Sequence, residues 1–273
     1  MKGFFITGTG TGVGKTIATI ALGIFLKSHG FNTIAIKPIE SGCALSNNQL
    51  IPHDGMMLKD MLRQNESIDR ITPIRFESPL APMVASEIEG KTIDIDFLLR
   101  HINEISLDYD NILIEGIGGI MVPILHDYFI YDLISDIALP VIIVANSGLG
   151  TINHTLLTVD LALRKGFTVA GVIINHCAND DNDLSIASNP QIIRRLCPVP
   201  VIGEIPYLYQ VAFNRITVLA ASSTPQRTQQ YAYVVSSLPP CSTSERNLVL
   251  ETLDYKDFEH ASNYIDNILL KYL

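Results

Sequence analysis

The 273-residue chain has a net charge of −9 and is 47% apolar. That composition supports a large buried core within one α/β domain and argues against a general nucleic-acid binder, which needs a basic surface. No apolar run approaches the ~18 residues of a membrane span, "MKGFFI" leads into a glycine loop rather than a signal-peptide core, and the four scattered cysteines (Cys43, Cys177, Cys197, Cys241) form no CxxC pair, so the expectation is a cytoplasmic protein of a reducing compartment.

In chain order, short runs rich in Val and Ile read as strands: "GFFIT" (3–7), "TIAIK" (33–37), "NILIEG" (111–116), "PVIIVAN" (140–146), "VAGVIIN" (169–175) and "PVIGEI" (200–205). Such runs suit strands covered on both faces, as in a parallel sheet. Helix-like stretches lie between them at 14–29, 94–107, 151–165 and 185–196. The alternation predicts a single doubly wound, mostly parallel α/β domain spanning 1–273. Ligands of such sheets bind beyond the carboxyl ends of the strands. Residues 210 to about 253, with "AASSTPQRTQQ" and "SSLPPCSTSER", read as a loop insertion. Apolar residues at Phe258, Ala261, Ile265, Ile268 and Leu269 predict a terminal helix at about 256–271. "NDDND" (179–183) lacks the glycine and distal glutamate of a calcium loop and reads as a solvated turn.

Behind the first strand stands "GTGTGVGKT", Gly8 to Thr16. A glycine-rich strand-to-helix turn aims successive backbone N–H groups into one concavity, where the helix N-terminus also favours phosphate. Lys15 would sit near the terminal phosphates and Thr16 would offer a hydroxyl to magnesium. The leading glycine is one residue early for the commonest such loop, but Lys15 and Thr16 keep their places relative to the helix. The lysine that partitioning-type ATPases carry early in the loop is absent, because that place holds Gly10.

Magnesium takes hard oxygen ligands and few carboxylates. Glu115 closes the apolar "NILIE" and is followed by glycines. Asp54, in "PHDGMML", is a second candidate, with a helix N-cap as its alternative. Lys37 ends a buried strand beside the loop; there it either neutralises charge on a transferred group or snorkels at the sheet edge. Ser41 follows four residues later. No HxxxH or HExxH pair and no nucleophile elbow is present.

Together, "TGTGTGVGKT" (7–16), "KPIESG" (37–42), "HDGMML" (53–58), "SPLAPMVAS" (78–86), "EGIGGIMVPI" (115–124), "GLGTINHTLLT" (148–158), "GVIIN" (171–175) and "GEIP" (203–206) resemble the dethiobiotin synthetase family, in order over roughly 1–208. The resemblance implies a P-loop NTPase-like fold and an ATP- and magnesium-dependent ligase of biotin synthesis. The reaction would carboxylate and cyclise 7,8-diaminononanoate with CO2 or bicarbonate through a carbamate and a carbamic–phosphoric anhydride. It implies that Gly12, Val13, Gly14, Lys15, Thr16 and Ile17 hold the ATP phosphates, and that Thr16, Asp54 and Glu115 surround Mg2+. Gly116, Ile117 and Gly118 would border the nucleotide, with Asn175, His176, Glu204, Ile205 and Pro206 around the base. Lys37 would be the principal catalytic residue, joined by Lys15 and Thr11, with Ser41 also holding the diamine. Gly150, Thr151 and Asn153 would reach the substrate tail from the other subunit of a homodimer. Gly12 stands where many members carry an acidic residue, and His176 where an acid is more usual. A cobyrinic acid-type synthetase and a non-catalytic nucleotide-binding regulator are the alternatives.

Overall fold

The computed structural model describes residues 1–177, 183–207, 265, 271 and 272. The insertion expected at 210–253 and most of the terminal helix expected at 256–271 lie outside the described residues, as does most of "NDDND".

The chain opens with β1 (Gly3–Gly8), α1 (Lys15–Ser28), β2 (Thr33–Ile36), β3 (Ile39–Glu40), β4 (Ala44–Ser46), β5 (Gln49–Ile51), α2 (His53–Met61) and α3 (Ile68–Ile71). It continues through β6 (Ile74–Arg75), α4 (Pro82–Glu89), α5 (Ile95–Ser106), β7 (Asn111–Gly119), β8 (Pro123–Leu125), β9 (Tyr128–Phe129) and α6 (Ile130–Ile137). The remaining elements are β10 (Val141–Asn146), α7 (Thr151–Arg164), β11 (Val169–Asn175), α8 (Leu184–Leu196) and β12 (Val201–Ile205).

Six strands form one parallel sheet in the order β12-β11-β10-β1-β7-β2. The apolar runs are continuous because both sheet faces are covered. Phe5, Ile114, Ile143 and Val172 pack on one side with Leu98, Ile134, Val159 and Ile193 from α5 to α8. Phe4, Ile6, Leu113, Ile142 and Ile173 point to the other, against Ile20, Leu22 and Leu26 of α1 and Leu58 of α2. The period of two along each strand thus divides one apolar sequence between two cores. Among the described residues no helix is long and apolar enough to cross a membrane.

From β1 the chain crosses to edge strand β2 and returns to β7, then passes to the opposite side of β1 with β10. The loop after β1 therefore lies at the topological switch point, the usual ligand crevice of an open α/β sheet. The edge of β2 that no strand pairs is closed by a side chain: buried Gln64 accepts from Ala35 N at 2.6 Å and donates to Ala35 O at 3.0 Å, as a neighbouring strand would. At the opposite edge, Ile265 makes an antiparallel bridge to Gly203.

Candidate active site

The loop from Gly8 to Lys15 turns sharply at two glycines, Gly12 with φ 74° and Gly14 with φ 88°. Gly14 is the N-cap of α1 and provides no side-chain cap, so the first N–H groups of the helix stay available to an anion. Only glycine fits there: a Cβ on Gly14 would lie 2.0 Å from Asn175 Nδ2. Lys15 bends over the loop and donates to Gly10 O at 2.9 Å. Burial, reinforced by the charge of Lys37, lowers its ammonium to about 8. This is a cation held short of full solvation, ready to be matched by phosphate.

The opposite wall comes from β7. Ile6 is in register with Glu115 and Gly8 with Gly119, with a bulge between them. The bulge turns the glycines after Glu115 under the loop; a Cβ on Gly119 would stand 3.3 Å from Gly8 O, and one on Gly116 would stand 2.9 Å from the Phe5 ring. Gly118 adopts φ 63° beside Thr11. Thr11 and Gly12 are exposed at the mouth of the loop, while Ile17 is partly buried below it.

Four sequence-predicted residues converge here. Thr16 Oγ1 donates to Glu115 Oε1 at 2.9 Å, and Lys37 Nζ donates to the same oxygen at 3.0 Å. Lys37 is also paired with Asp54 Oδ2. The N-cap of α2 is Pro52, so Asp54 is not spent on capping and the alternative of a helix cap falls. Burial opposes the charge of Lys37, but Asp54, Glu115 and Glu40 outweigh it and hold the ammonium above its usual pKa. Burial also opposes the Asp54 charge, and Lys37, with Lys15 and Thr16, holds that carboxyl below its ordinary range. At Glu115 burial wins, aided by Asp54, and the pKa is raised.

Glu115 Oε1 therefore takes two donors, whereas Oε2 is buried with no hydrogen-bond partner among the described residues. A buried carboxylate oxygen left unpartnered is costly and is suited to a cation. Two carboxylates and a hydroxyl fit magnesium, which keeps waters and phosphate oxygens for its remaining positions. Thr16, Asp54 and Glu115 are the residues that would hold it.

The residues expected around the base, on β11 and β12, lie two and three strands from β1. Asn146, Asn175 and Ile205 are level across β10, β11 and β12. Asn175 Nδ2 donates to Val13 O at 3.3 Å, joining the end of β11 to the phosphate loop. His176 Nε2 is 2.9 Å from Glu204 Oε1, and Arg194 Nη1 donates to Glu204 Oε2 at 2.8 Å. Burial opposes the Glu204 charge, but His176 and Arg194 bring its pKa below the ordinary value. Pro206 follows at the partly buried strand end.

Gly150, with φ 88°, caps α7, and Asn153 is exposed on its first turn. Thr151 is buried, and its hydroxyl donates to Asn146 O at 2.6 Å. Its side chain thus ties the helix to β10 rather than facing outward. Sequence reasoning missed Asn189, which donates to both Ser147 O and Gly148 O and fixes this turn from α8. It also missed Glu40, although "KPIESG" contains it. Ser41 is partly buried on the loop leaving β3.

The sequence matches the AAA domain family over residues 2–215. An ATP-dependent dethiobiotin synthetase of Thermodesulfovibrio yellowstonii is 46% identical over 221 residues, covering 78% of this chain and 92% of that protein. The Bacillus subtilis subsp. natto ATP-dependent dethiobiotin synthetase is 43% identical over 211 residues, covering 77% and 90%. A MinC:MinD cell division complex of Aquifex aeolicus aligns at 17% identity and a TM-score of 0.47, over 83% of this chain and 99% of that one, too distant to carry an argument. With a nucleotide loop, a carboxylate pair and a lysine between them, and with relatives of this identity and coverage, the chain belongs to the dethiobiotin synthetase family of ligases.

Proposed function

We propose that the protein uses ATP and Mg2+ to carboxylate 7,8-diaminononanoate with CO2 and close the ureido ring, giving dethiobiotin, ADP and phosphate. The observation that carries this reading is the meeting of Thr16, Lys37, Asp54 and Glu115 directly behind the phosphate loop. The names of the relatives support the product, dethiobiotin, and the dependence on ATP.

One amine of the diamine takes up CO2 as a carbamate, with loss of a proton. A carbamate oxygen attacks the γ-phosphorus of ATP and ADP leaves, forming a carbamic–phosphoric anhydride. The second amine attacks the carbamoyl carbon, phosphate departs and the ring closes. None of the three steps requires a covalent enzyme nucleophile. Phosphoryl transfer depends on positioning and charge stabilisation, and ring closure gains from holding both amines in one substrate.

Bound magnesium would neutralise phosphate charge and help align the phosphates. The loop N–H groups and Lys15 orient the phosphates. Lys37, kept protonated by its carboxylate neighbours, supplies positive charge to the carbamate and the transferred phosphoryl group. Thr11 and Ser41 hold the diamine, and Asn175, His176 and the 204–206 segment flank the base. The exposed first turn of α7, with Gly150 and Asn153, reaches the substrate carboxylate in the facing subunit of a homodimer.

The test is to supply 13C-bicarbonate, ATP, Mg2+ and the diamine, and to analyse the product by mass spectrometry. A dethiobiotin product carrying one 13C at the ureido carbon supports the reading. An unlabelled product, or none with folded protein, contradicts it.

A further inference from the structure

Glu40 is buried and lies outside the set of residues expected to touch nucleotide, metal or diamine. Its carboxylate grips the start of α2 with both oxygens: Oε1 accepts from Asp54 N at 3.0 Å and Oε2 accepts from Gly55 N at 3.0 Å. These are two of the otherwise unpaired N–H groups of a first helical turn. A Ser or Asn N-cap would ordinarily satisfy one of them without burying a charge. A two-point grip does more than cap, because it fixes the turn in rotation as well as in position.

Both sides of the grip are rigid. Glu40 is paired in the short parallel ladder of β3 with β6, and Phe76 N donates to Glu40 O at 2.9 Å. Across the turn, a Cβ on Gly55 would come 2.1 Å from Thr72 Oγ1, so α2 is pressed against the chain entering β6. Asp54 projects from this clamped turn to Lys37, beside Glu115.

We infer that Glu40 is a positioning residue which aims the Asp54 carboxylate at the metal position; this deepens the proposed function and rests on Asp54 being a ligand there. A side chain that orients a metal ligand typically changes metal affinity by about 10- to 100-fold when altered. The expected effect of Glu40→Gln is at the lower end, because Gln keeps the volume and one acceptor oxygen.

The experiment measures Mn2+ binding to the ADP complex by electron paramagnetic resonance, in the full chain and in Glu40→Gln, Asp54→Asn and the double variant. Metal-free ADP affinity is measured in parallel. The inference expects Glu40→Gln to weaken Mn2+ about tenfold with metal-free ADP affinity unchanged. In the Asp54→Asn background the same change should add less than about twofold, because the two act through one carboxylate. Unchanged Mn2+ affinity in Glu40→Gln, alongside a loss in Asp54→Asn, overturns the positioning role alone. An equal loss with and without Asp54, or a matching loss of metal-free ADP affinity, also overturns it. Normal Mn2+ affinity in Asp54→Asn overturns the metal reading itself.

Discussion

Lys37 Nζ lies 3.0 Å from Glu115 Oε1 because Ile36 and Ile114 pair across the parallel strands β2 and β7. The next residue on each strand emerges at the same height at the carboxyl end of the sheet. A cation and an anion far apart in sequence thus meet beside the phosphate loop without any loop having to close on them. Replacing Lys37 removes one preorganised charge, an effect of about 10²- to 10³-fold on turnover for a comparable electrostatic group. Lys37→Ala is expected to lose that much kcat while ATP affinity changes only a few fold. Steady-state kinetics with a fluorescent-nucleotide titration check this, and near-normal kcat refutes the catalytic role.

Gly14 and Asn175 make a second testable pair. At φ 88° a side chain is strained by about 1–2 kcal/mol, and an alanine Cβ would also overlap the Asn175 amide. Gly14→Ala should lower the melting temperature and reduce ATP affinity at least about tenfold, a loss of about 1.4 kcal/mol. Adding Asn175→Ala relieves the overlap but not the strain, so the double variant should recover part of the melting temperature. No recovery would mean that backbone strain alone sets the effect.

The pH behaviour of Lys15 has a defined sign. Its pKa falls from 10.5 to about 8 in the folded, nucleotide-free protein, from burial first and Lys37 second. Between those values the unfolded chain binds the proton that the folded chain has lost, so nucleotide-free stability rises with pH across that window. Phosphate restores the charge of Lys15, so nucleotide binding takes up a proton there. Calorimetry at pH 9 in two buffers of different ionisation enthalpy should show uptake approaching one proton per ADP. Zero uptake would contradict the assignment.

Gln64 offers a stability test away from the phosphate loop. Gln64→Ala strips Ala35 of both backbone partners on the edge strand. Unpaired buried groups cost about 1–3 kcal/mol, so the melting temperature should drop by several degrees while kcat per folded molecule is maintained. An unchanged melting temperature would show that water replaces the amide without loss.

Much of this architecture was legible because burial on both faces leaves a plain mark: the runs at 3–7, 111–116 and 169–175 all became sheet strands. Thr16 stands in the first turn of α1, as its place after the glycine loop suggested, whereas β7 runs four residues past Glu115, to Gly119, beyond the strand end read from the apolar run. Asp54 was ambiguous because a carboxylate at a helix start resembles a cap; Pro52 at the cap position removes that alternative, and Asp54 pairs with Lys37 instead. Glu40, Gln64 and Asn189 were not legible. Each acts by satisfying backbone groups of a segment brought near by folding, and no local spacing encodes such a partner. Thr151 shows the converse: the family resemblance implied a contact with the substrate of the other subunit, whereas its hydroxyl donates to Asn146 O within the chain.

The most direct test of the proposed chemistry is the substrate dependence of ADP release. With ATP and Mg2+ present, the account predicts ADP only when the diamine and bicarbonate are supplied together, in a one-to-one ratio with dethiobiotin. ADP released equally well without the diamine would contradict it.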